Sequence, residues 1–334
     1  MLGREIKYAL QDINQFADSM RSPGEYANIL KFLFNGIRFG EFGSPLKIKD
    51  YSALDSVVEK NNRIELEMRK HGMPIHDHVV MLLVGHHEHP SMYFDCTDSF
   101  REEGMYHMYW GPLHHFRNAG ENADYIIGLG KHLLAKTGKK KLDVIPHSRG
   151  GLIAAYAAIL CPDIFDKIIA VGTPFHGTTL AGLGYDLLEG AIGRIGIRLL
   201  EKMGYSLDPI REMRFNSEFT QHLNENISRL KGVDLYSIFS MGYDEAVIPG
   251  CSSIIDHNAV NINVDSCLDI SRPGHIGLAL HDKVHEIEFR ILKGTFDKEG
   301  FLKEHPVMKF EEYLKERTSR TRPVNYYHPQ RAAA

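Results

Sequence analysis

A serine in the segment 144–152, which reads VIPHSRGGL, has the surroundings that an enzyme nucleophile needs. An apolar run ends just before Ser148, and an alanine-rich segment typical of a helix follows it. A sharp turn from a strand into a helix lifts a serine oxygen clear of the sheet and points the helix N-terminus at it. Small residues are needed beside such a turn, and Gly150 and Gly151 supply them. The pattern predicts Ser148 as the nucleophile and the backbone N–H of Arg149 as a donor to an oxyanion.

A second motif, GTPFHGT at residues 172–178, follows the serine after one further predicted strand. Together with the elbow, it makes residues 142–178 resemble the lipase branch of the α/β-hydrolase superfamily, where GHSxGG precedes a strand ending in GTPxxG and serine or threonine. Pro146 stands where that branch has its first glycine, so the turn must accept a fixed φ and one N–H fewer. The alternative for Ser148 is an ordinary turn without a catalytic role.

The resemblance implies an α/β-hydrolase fold, in which a mainly parallel sheet carries helices on both faces. It also implies a Ser–His–Asp triad that works without a cofactor or a metal. The resemblance extends diffusely from about residue 79 to 293 and does not cover the first 60 or so residues. In this fold the acid and then the histidine follow the serine along the chain.

The acid and the histidine of the triad are sought downstream of Ser148. Asp244 comes just after a predicted strand and resembles the acid loop of the family, with Glu245 as the second choice. His275, within GHIGL, resembles the family's GHxxL segment ahead of a helix. A carboxylate in that position would hold the imidazole in one tautomer and stabilise its protonated form. Three further histidines compete for the role: His257, His281 and His285.

The second oxyanion donor is sought in residues 84–90, which read VGHHEHP. The family places His-Gly after an early strand, and the next residue donates its backbone N–H. This segment aligns with that pattern in two ways, which make either His86 or His87 the donor. We select His86.

Histidines are concentrated in one part of the chain, because nine of the 19 lie between His71 and His115. Imidazole and carboxylate groups suit zinc, so the clusters at 76–78 and 86–89 invite a metal hypothesis. The first cluster precedes a predicted strand, and the second lies in the expected oxyanion loop. We therefore expect no metal there, and favour recognition of a polar substrate or no role.

Apolar runs alternate with helical periodicity, which is typical of a parallel sheet with helices on both faces. Strands are predicted at residues 79–84, 104–109, 142–145, 167–171, 233–239 and 259–264. Helices are predicted within residues 1–40, at 121–137, after the serine turn to residue 161, and at 282–292, the last of them.

This alternation divides the chain into a helical N-terminal extension at residues 1–60 and an α/β-hydrolase domain at 61–334. The extension is expected to pack on the main domain, with a membrane-docking or lid element as the alternative. Within the domain, residues 179–230 are predicted to form a cap over the site, because apolar residues and glycines are both frequent from 179 to 206. Such a cover suits an acyl-chain pocket that opens and closes. A helix packed permanently in the core is the alternative.

Composition excludes several classes of function. The chain has 334 residues, of which 43% are hydrophobic and 25% charged, and its formal net charge is −4, so nucleic acid is not expected as a partner.

No apolar run reaches the roughly 18 residues that cross a bilayer, and the N-terminus lacks the pattern of a signal peptide, which predicts a cytoplasmic protein. Basic residues from 315 to 331 leave open a peripheral contact with a lipid surface.

The function predicted from these patterns is cleavage of a carboxylic ester or lipid by Ser148, His275 and Asp244 through an acyl-enzyme. A thioesterase or an acyltransferase with the same triad is the nearest alternative. An inactive hydrolase fold that serves as a binding module is an alternative of a different class.

Overall fold

The computed structural model describes residues 51–86, 88, 93, 97–111, 113–202, 206–268, 270, 272–306 and 309–313. Most of the predicted N-terminal extension, including the helices expected within residues 1–40, lies outside the described residues. So does the basic segment 315–331. No helix in the part of the chain that the structure describes has the length and apolarity to cross a bilayer.

Six strands form one sheet in which every neighbouring pair is parallel. Their order across the sheet is β2-β1-β3-β4-β5-β6. The strands are β1 (Val79–Leu83), β2 (Met108–Gly111), β3 (Leu142–Pro146), β4 (Phe165–Val171), β5 (Asp234–Phe239) and β6 (Ala259–Asn263). All five residues of β1 and of β3 are buried. Apolar runs of this kind form strands that are covered on both faces.

Helices lie in four of the five connections between consecutive strands, as is usual for parallel pairing. They are α1 (Asp55–Lys70), α2 (Thr97–Glu102), α3 (Ala119–Thr137), α4 (Arg149–Leu160), α5 (Thr179–Lys202), α6 (Asp208–Glu212), α7 (Glu218–Ile227), α8 (Val264–Cys267), α9 (His275–Ala279), α10 (Asp282–Leu292) and α11 (Lys298–Glu304). The longest regular helix, α3, shows how the sequence sets such bounds. The Asn118 side chain accepts from the N–H of Glu121 at its start, and Gly138 ends it with φ of 71°.

The two faces of the sheet have separate apolar cores. Alternate residues of β1 divide between them, Met81 facing one core and Leu82 the other. Helices α1, α3, α4 and α7 cover the first face, and helices α2, α9 and α10 cover the second. The predicted mainly parallel sheet with helices on both faces is therefore present.

Three sequence predictions about elements differ from the structure. The strand expected at 104–109 begins later, at Met108, because Gly104 has φ of +88° and its Cα packs against the Pro74 backbone. The helix at 282–292 is not the last, since α11 follows it. The predicted boundary at residue 60 falls inside α1, which packs Val58 into the core.

The segment predicted as a cap divides into two parts. Helix α5 is interrupted at Gly193, where φ is 69° and ψ is 164°, so two helical pieces meet at a kink. By contrast, α7 buries Leu223 and Ile227 in the same core as α4. Residues 218–230 therefore pack within the main domain, because their apolar side chains complete the cover of the sheet.

Candidate active site

Ser148 occupies a sharp turn between β3 and α4, at the carboxyl end of a central strand. Its φ of 54° and ψ of −129° lie where L-residues are rarely found, a conformation that costs about 1–3 kcal/mol. The N–H of Ser148 donates to the Val171 carbonyl at 2.8 Å, and the Thr173 hydroxyl donates to the Ser148 carbonyl at 2.9 Å. Both neighbours belong to the end of β4 and the GTP motif. The second motif therefore holds the strained serine in place.

Close backbone approaches explain the glycines around this turn. A Cβ atom on Gly150 would lie 2.8 Å from the Val84 carbonyl oxygen, and one on Gly85 would lie 2.6 Å from Cβ of Ser148. Real Cβ atoms do not come so close to other heavy atoms. The loop after β1 therefore lies directly against the serine.

Pro146 is accommodated as the last residue of β3. The pairing of β3 with β4 runs from Leu142 to Val144 and resumes at His147, which bridges to Val171. On the other side, the His147 N–H donates to the Leu83 carbonyl at 2.9 Å. The missing proline N–H thus falls in a gap of the ladder, where no strand bond depends on it.

Asp244 and His275, predicted as partners, lie in contact. Nδ1 of His275 is 2.9 Å from Oδ2 of Asp244, and both side chains are buried. The other carboxylate oxygen accepts from the N–H groups of Ala246 at 2.9 Å and Val247 at 2.8 Å. An ionised carboxylate accepts only, so Nδ1 of the imidazole carries the proton and donates it. This leaves Nε2 of His275 as the basic nitrogen.

Glu245, the second choice for the acid, has a different contact. Its Oε2 accepts from the backbone N–H of His275 at 2.9 Å rather than from the ring. Burial and the adjacent charge of Asp244 raise the pKa of the Glu245 carboxyl. The two acids thus hold different parts of one histidine.

The electrostatics of His275 favour its charged form. Burial by itself would lower the pKa, but the charge and hydrogen bond of Asp244, with the charges of Glu88 and Glu245, raise the pKa of His275 to about 9. Only the neutral imidazole can accept a proton, and half of the His275 side chains are neutral only in alkaline solution.

The end of β4 brings the serine and the histidine together. Ser148 bonds to Val171, and the next residue, Gly172, packs against the imidazole. A Cβ atom on Gly172 would lie 3.2 Å from Nδ1 of His275 and 3.3 Å from Oδ2 of Asp244. The three residues predicted as a triad therefore converge at the carboxyl ends of β3, β4 and β5.

Arg149, predicted as an oxyanion donor, begins α4. The first N–H groups of a helix have no partner within the helix, and they favour a negative charge nearby. Its side chain is only 2% exposed, and Nη2 donates to the Arg117 carbonyl at 2.6 Å and to Oε2 of Glu212 at 3.3 Å. Glu212 in turn accepts from the N–H of Ala119 at 2.8 Å. The guanidinium thus ties the serine turn to α3 and α6.

His86, predicted as the second donor, lies in the loop that touches Ser148. Its ring meets that of His115 edge-on, with 5.9 Å between the ring centroids. His87, the alternative donor, lies outside the described residues. Between Gly85 and Glu88 the loop closes on itself, because the Gly85 N–H donates to Oε2 of Glu88.

Two residues of the site were not assigned a role from the sequence. Glu88 was weighed only as part of a metal cluster, yet its Oε1 lies 2.7 Å from Nδ1 of His147, the residue before the serine. Nε2 of His147 is 3.0 Å from the backbone carbonyl oxygen of His275. A glutamate just after an apolar strand, in the loop expected to supply an oxyanion donor, was the available signal.

The cluster at residues 76–78 lies at the opposite end of the strands. Nε2 of His76 and Nδ1 of His78 lie 2.8 and 3.0 Å from the same oxygen of Asp143, a buried residue in β3. Lys167 stands 3.8 Å from the other oxygen of Asp143. These nitrogen and oxygen atoms could bind a cation. The hydrogen bonds from the two histidines and the positive charge of the lysine already account for the buried carboxylate.

The histidines that competed with His275 have other partners. His281 caps α10, where its side chain accepts from the N–H of Lys283 at 3.2 Å. Nδ1 of His285 is 2.9 Å from Oε2 of Glu288 within the same helix. His257 is exposed, ahead of β6.

Comparison with known proteins shows a short stretch of sequence similarity to lipases. No protein-family model matches the chain. Over 66 residues, 20% of its length, the chain is 33% identical to a triacylglycerol lipase of Pseudarthrobacter phenanthrenivorans and to one of Burkholderia plantarii. The match spans about a fifth of the length of these curated relatives, 21% and 18%.

The fold has a counterpart among solved structures. The lipase BlEst2 of Bacillus licheniformis, in its propeptide form, superposes with a TM-score of 0.52 over 65% of this chain and 50% of that chain, at 15% identity. Such a likeness bears on the fold alone. With the all-parallel six-stranded sheet and the helices on its two faces, it confirms the α/β-hydrolase fold expected from the sequence.

Proposed function

We propose that the chain is a serine hydrolase that cleaves carboxylic esters. The observation that carries this proposal is the 2.9 Å contact between His275 and Asp244 beside a serine held at φ of 54°. A base that a buried carboxylate orients, near a half-buried serine in a sharp turn, is the arrangement that activates a hydroxyl. The fold and the local identity to triacylglycerol lipases support the same reaction class.

In the first half-reaction, Oγ of Ser148 attacks the ester carbonyl carbon while Nε2 of His275 takes the hydroxyl proton. The carbonyl electron pair moves onto oxygen and forms a tetrahedral oxyanion. When this collapses, the carbon–oxygen bond to the alcohol breaks, and the imidazolium returns its proton to the leaving oxygen. Asp244 stabilises the imidazolium throughout without taking the proton itself.

The oxyanion needs donors that are fixed before the reaction begins. The backbone N–H of Arg149 supplies one at the start of α4, and the N–H of His86 supplies the second from the loop beside the serine. Water, deprotonated by His275, then attacks the carbonyl carbon of the acyl-enzyme. The bond from that carbon to Oγ of Ser148 breaks, the imidazolium returns its proton to Oγ, and the acid leaves.

Serine-directed labelling tests the proposal. Purified full-length protein is treated with a fluorophosphonate probe and assayed with p-nitrophenyl butyrate, alongside Ser148→Ala and the control Ser99→Ala on the exposed surface. We expect the wild type and the control to be labelled and active, and Ser148→Ala to be neither. Labelling that persists in folded Ser148→Ala would overturn the assignment of the nucleophile.

The substrate class follows from the relatives and from the composition of α5. Both curated relatives are named for triacylglycerols, and α5 exposes Leu180 and Leu183 at its start. We infer an ester with an apolar acyl chain. A thioesterase with the same triad would form the acyl-enzyme faster from a thioester than from the matching ester, and an acyltransferase would release the acyl group faster when an alcohol is added. An inactive binding module would show neither labelling nor turnover.

A further inference from the structure

Two buried ionisable side chains beside the candidate triad have no part in the acyl-transfer steps. Glu88 is 5% exposed, and His147 is fully buried. Glu88 lies in the loop after β1, and His147 directly precedes Ser148. A carboxylate is costly to bury unless charges or hydrogen bonds compensate it. The partners of Glu88 therefore indicate what it does.

Glu88 closes the loop that carries the proposed second oxyanion donor. Its Oε2 accepts from the N–H of Gly85, and its own N–H donates to the Gly85 carbonyl at 3.5 Å. Two contacts thus join the ends of the four-residue loop that contains His86. The orientation of the loop depends on this carboxylate.

Glu88 also pairs with His147, and the pair continues to the candidate general base. Oε1 lies 2.7 Å from Nδ1 of His147, off the direction of the N–H bond, so the two groups are in close polar contact without an aligned hydrogen bond. On its other side, Nε2 of His147 is 3.0 Å from the carbonyl oxygen of His275. The centroids of the two imidazole rings are 4.5 Å apart.

The protons of this pair can be counted from its partners. A carbonyl oxygen only accepts, so Nε2 of His147 must carry a proton. Two atoms that both present a lone pair repel at 2.7 Å, so either Nδ1 of His147 or Oε1 of Glu88 carries a second proton.

We propose that Glu88 and His147 form a positioning pair that connects the oxyanion loop to the catalytic histidine. Glu88 holds the loop through the Gly85 N–H, and His147 holds the carbonyl of His275. This proposal rests on the proposed function, since it assigns that loop and that histidine their roles. Neither residue of the pair touches the reacting atoms.

The charges around His275 give the pair an effect that packing alone would not have. Besides Glu88 and His147, the titratable groups that face this imidazole among the described residues are Asp244 and Glu245. Burial by itself would raise the pKa of Glu88, but His147 and the Gly85 N–H bring it below its usual value. The resulting negative charge contributes to the raised pKa of His275. Removing it should lower that pKa.

Kinetics of the full chain test the proposal. Glu88→Ala removes both the acceptor for the Gly85 N–H and the charge, and we expect kcat to fall about 10²-fold with little change in KM, as for misplaced catalytic groups. Glu88→Gln keeps an acceptor, so we expect it to recover most of kcat. Its acidic limb of kcat/KM should nevertheless move to lower pH, because the charge is gone.

The matched control is the buried pair of Glu288 and His285 in α10, whose Nδ1–Oε2 distance is 2.9 Å. Glu288→Ala and Glu288→Gln should leave kcat and the pH profile of folded protein unchanged. Wild-type kcat and an unshifted acidic limb in folded Glu88→Ala and Glu88→Gln would overturn the proposal.

A measurement without turnover keeps the two proposals separate. In wild-type protein with ¹⁵N-labelled histidine, NMR should show a proton on Nε2 of His147, as its contact with the His275 carbonyl oxygen requires, with the ring signals of His147 changed in Glu88→Gln. An Nε2 without a proton would overturn the positioning pair even if Glu88→Ala fails to fold. Wild-type protein with this signature but no probe labelling would instead overturn the proposed function.

Discussion

The carboxylate of Glu245 accepts the backbone N–H of His275 at 2.9 Å, while the adjacent Asp244 reaches Nδ1 of the same residue at the same distance. The roles of two adjacent acidic residues are difficult to tell apart from their positions in the sequence. Here they differ in what they contact, and that difference yields the first prediction.

Asp244→Asn should lower kcat by about 10⁴-fold, because an amide can stabilise the wrong tautomer of the imidazole. Glu245→Gln should keep at least a tenth of wild-type kcat, roughly, since an amide oxygen still accepts from a backbone N–H. Steady-state kinetics on p-nitrophenyl butyrate measure both. A crippled Glu245→Gln beside a nearly wild-type Asp244→Asn would show that the acid is misassigned.

Activity should increase with pH into the alkaline range. His275 must be neutral to act as a base, and its pKa is raised to about 9, so kcat/KM should rise with an apparent pKa near that value. Because the pKa of His275 in the folded protein exceeds the ordinary 6.5, its charged imidazole adds to the free energy of unfolding. This contribution is complete below pH 6.5 and is lost as the pH rises through about 9. Urea unfolding from pH 6 to 10 should show this loss in wild type and less of it in His275→Gln. A kcat/KM plateau reached by pH 7 would contradict the prediction.

The buried guanidinium of Arg149 should matter for stability and not for chemistry. Arg149→Met leaves the Glu212 charge without its partner, which should lower the free energy of unfolding by about 3 kcal/mol. Turnover per folded molecule should persist, because the proposed oxyanion donor is the backbone N–H. Adding Glu212→Gln should restore much of the stability, since the amide still accepts from Ala119. Lost turnover at unchanged stability would instead place the guanidinium in the reaction.

Ester turnover should not depend on a metal. Among the residues that the structure describes, two sets of three side chains could each hold a metal ion, because the nitrogen and oxygen atoms within each set lie within 4.8 Å of one another: His76, His78 and Asp143, and Glu88, His147 and His275. The second set includes the proposed base, which a bound metal would occupy. Dialysis against EDTA, checked by elemental analysis, should leave kcat/KM unchanged. Activity lost on dialysis and restored by zinc or calcium would revive the histidines as ligands.

Selection of the acyl chain should depend on the start of α5. Each CH₂ that enters an apolar pocket contributes about 0.8 kcal/mol, so kcat/KM should rise over p-nitrophenyl esters from C2 to C8. Leu183, 40% exposed, is accessible to such a chain, and Leu183→Asp should flatten the rise while sparing the acetate ester. Leu160→Asp, at a residue 50% exposed on α4, is the control and should change neither. A wild type that prefers acetate would defeat the acyl-pocket interpretation.

The strands could be predicted because burial on both faces leaves an apolar run that few other structures produce. Five of the six lie within three residues of their predicted bounds. The exception, β2, was placed too early because residues 104–107 are apolar and aromatic enough to read as a strand. Their backbone instead follows the positive φ of Gly104. A backbone turn set by a distant contact, here with Pro74, leaves no periodic signal.

The contact between His275 and Asp244 follows from an order that this fold imposes along the chain. That order does not predict the different roles of Asp244 and Glu245. Those roles depend on which of two adjacent carboxylates turns toward an imidazole ring 31 residues away. Likewise, the sequence predicts residues 218–230 as part of a cap. Their apolar stripe is the same whether it faces a ligand or the core.

What the sequence by itself determined is local: a strand that ends in a strained serine, small residues where backbones meet, and candidate groups in a fixed order. Hydrophobic periodicity and the need for small side chains at a tight turn each involve only a few neighbouring residues, so both can be recognised in the sequence. Only the tertiary structure decided which buried charges meet. Glu88 and His147 are separated by 59 positions, and their 2.7 Å contact exists because parallel pairing of β1 and β3 brings the two strand ends side by side. Electrostatic energy depends on distance in space, and that distance is set by the packed sheet.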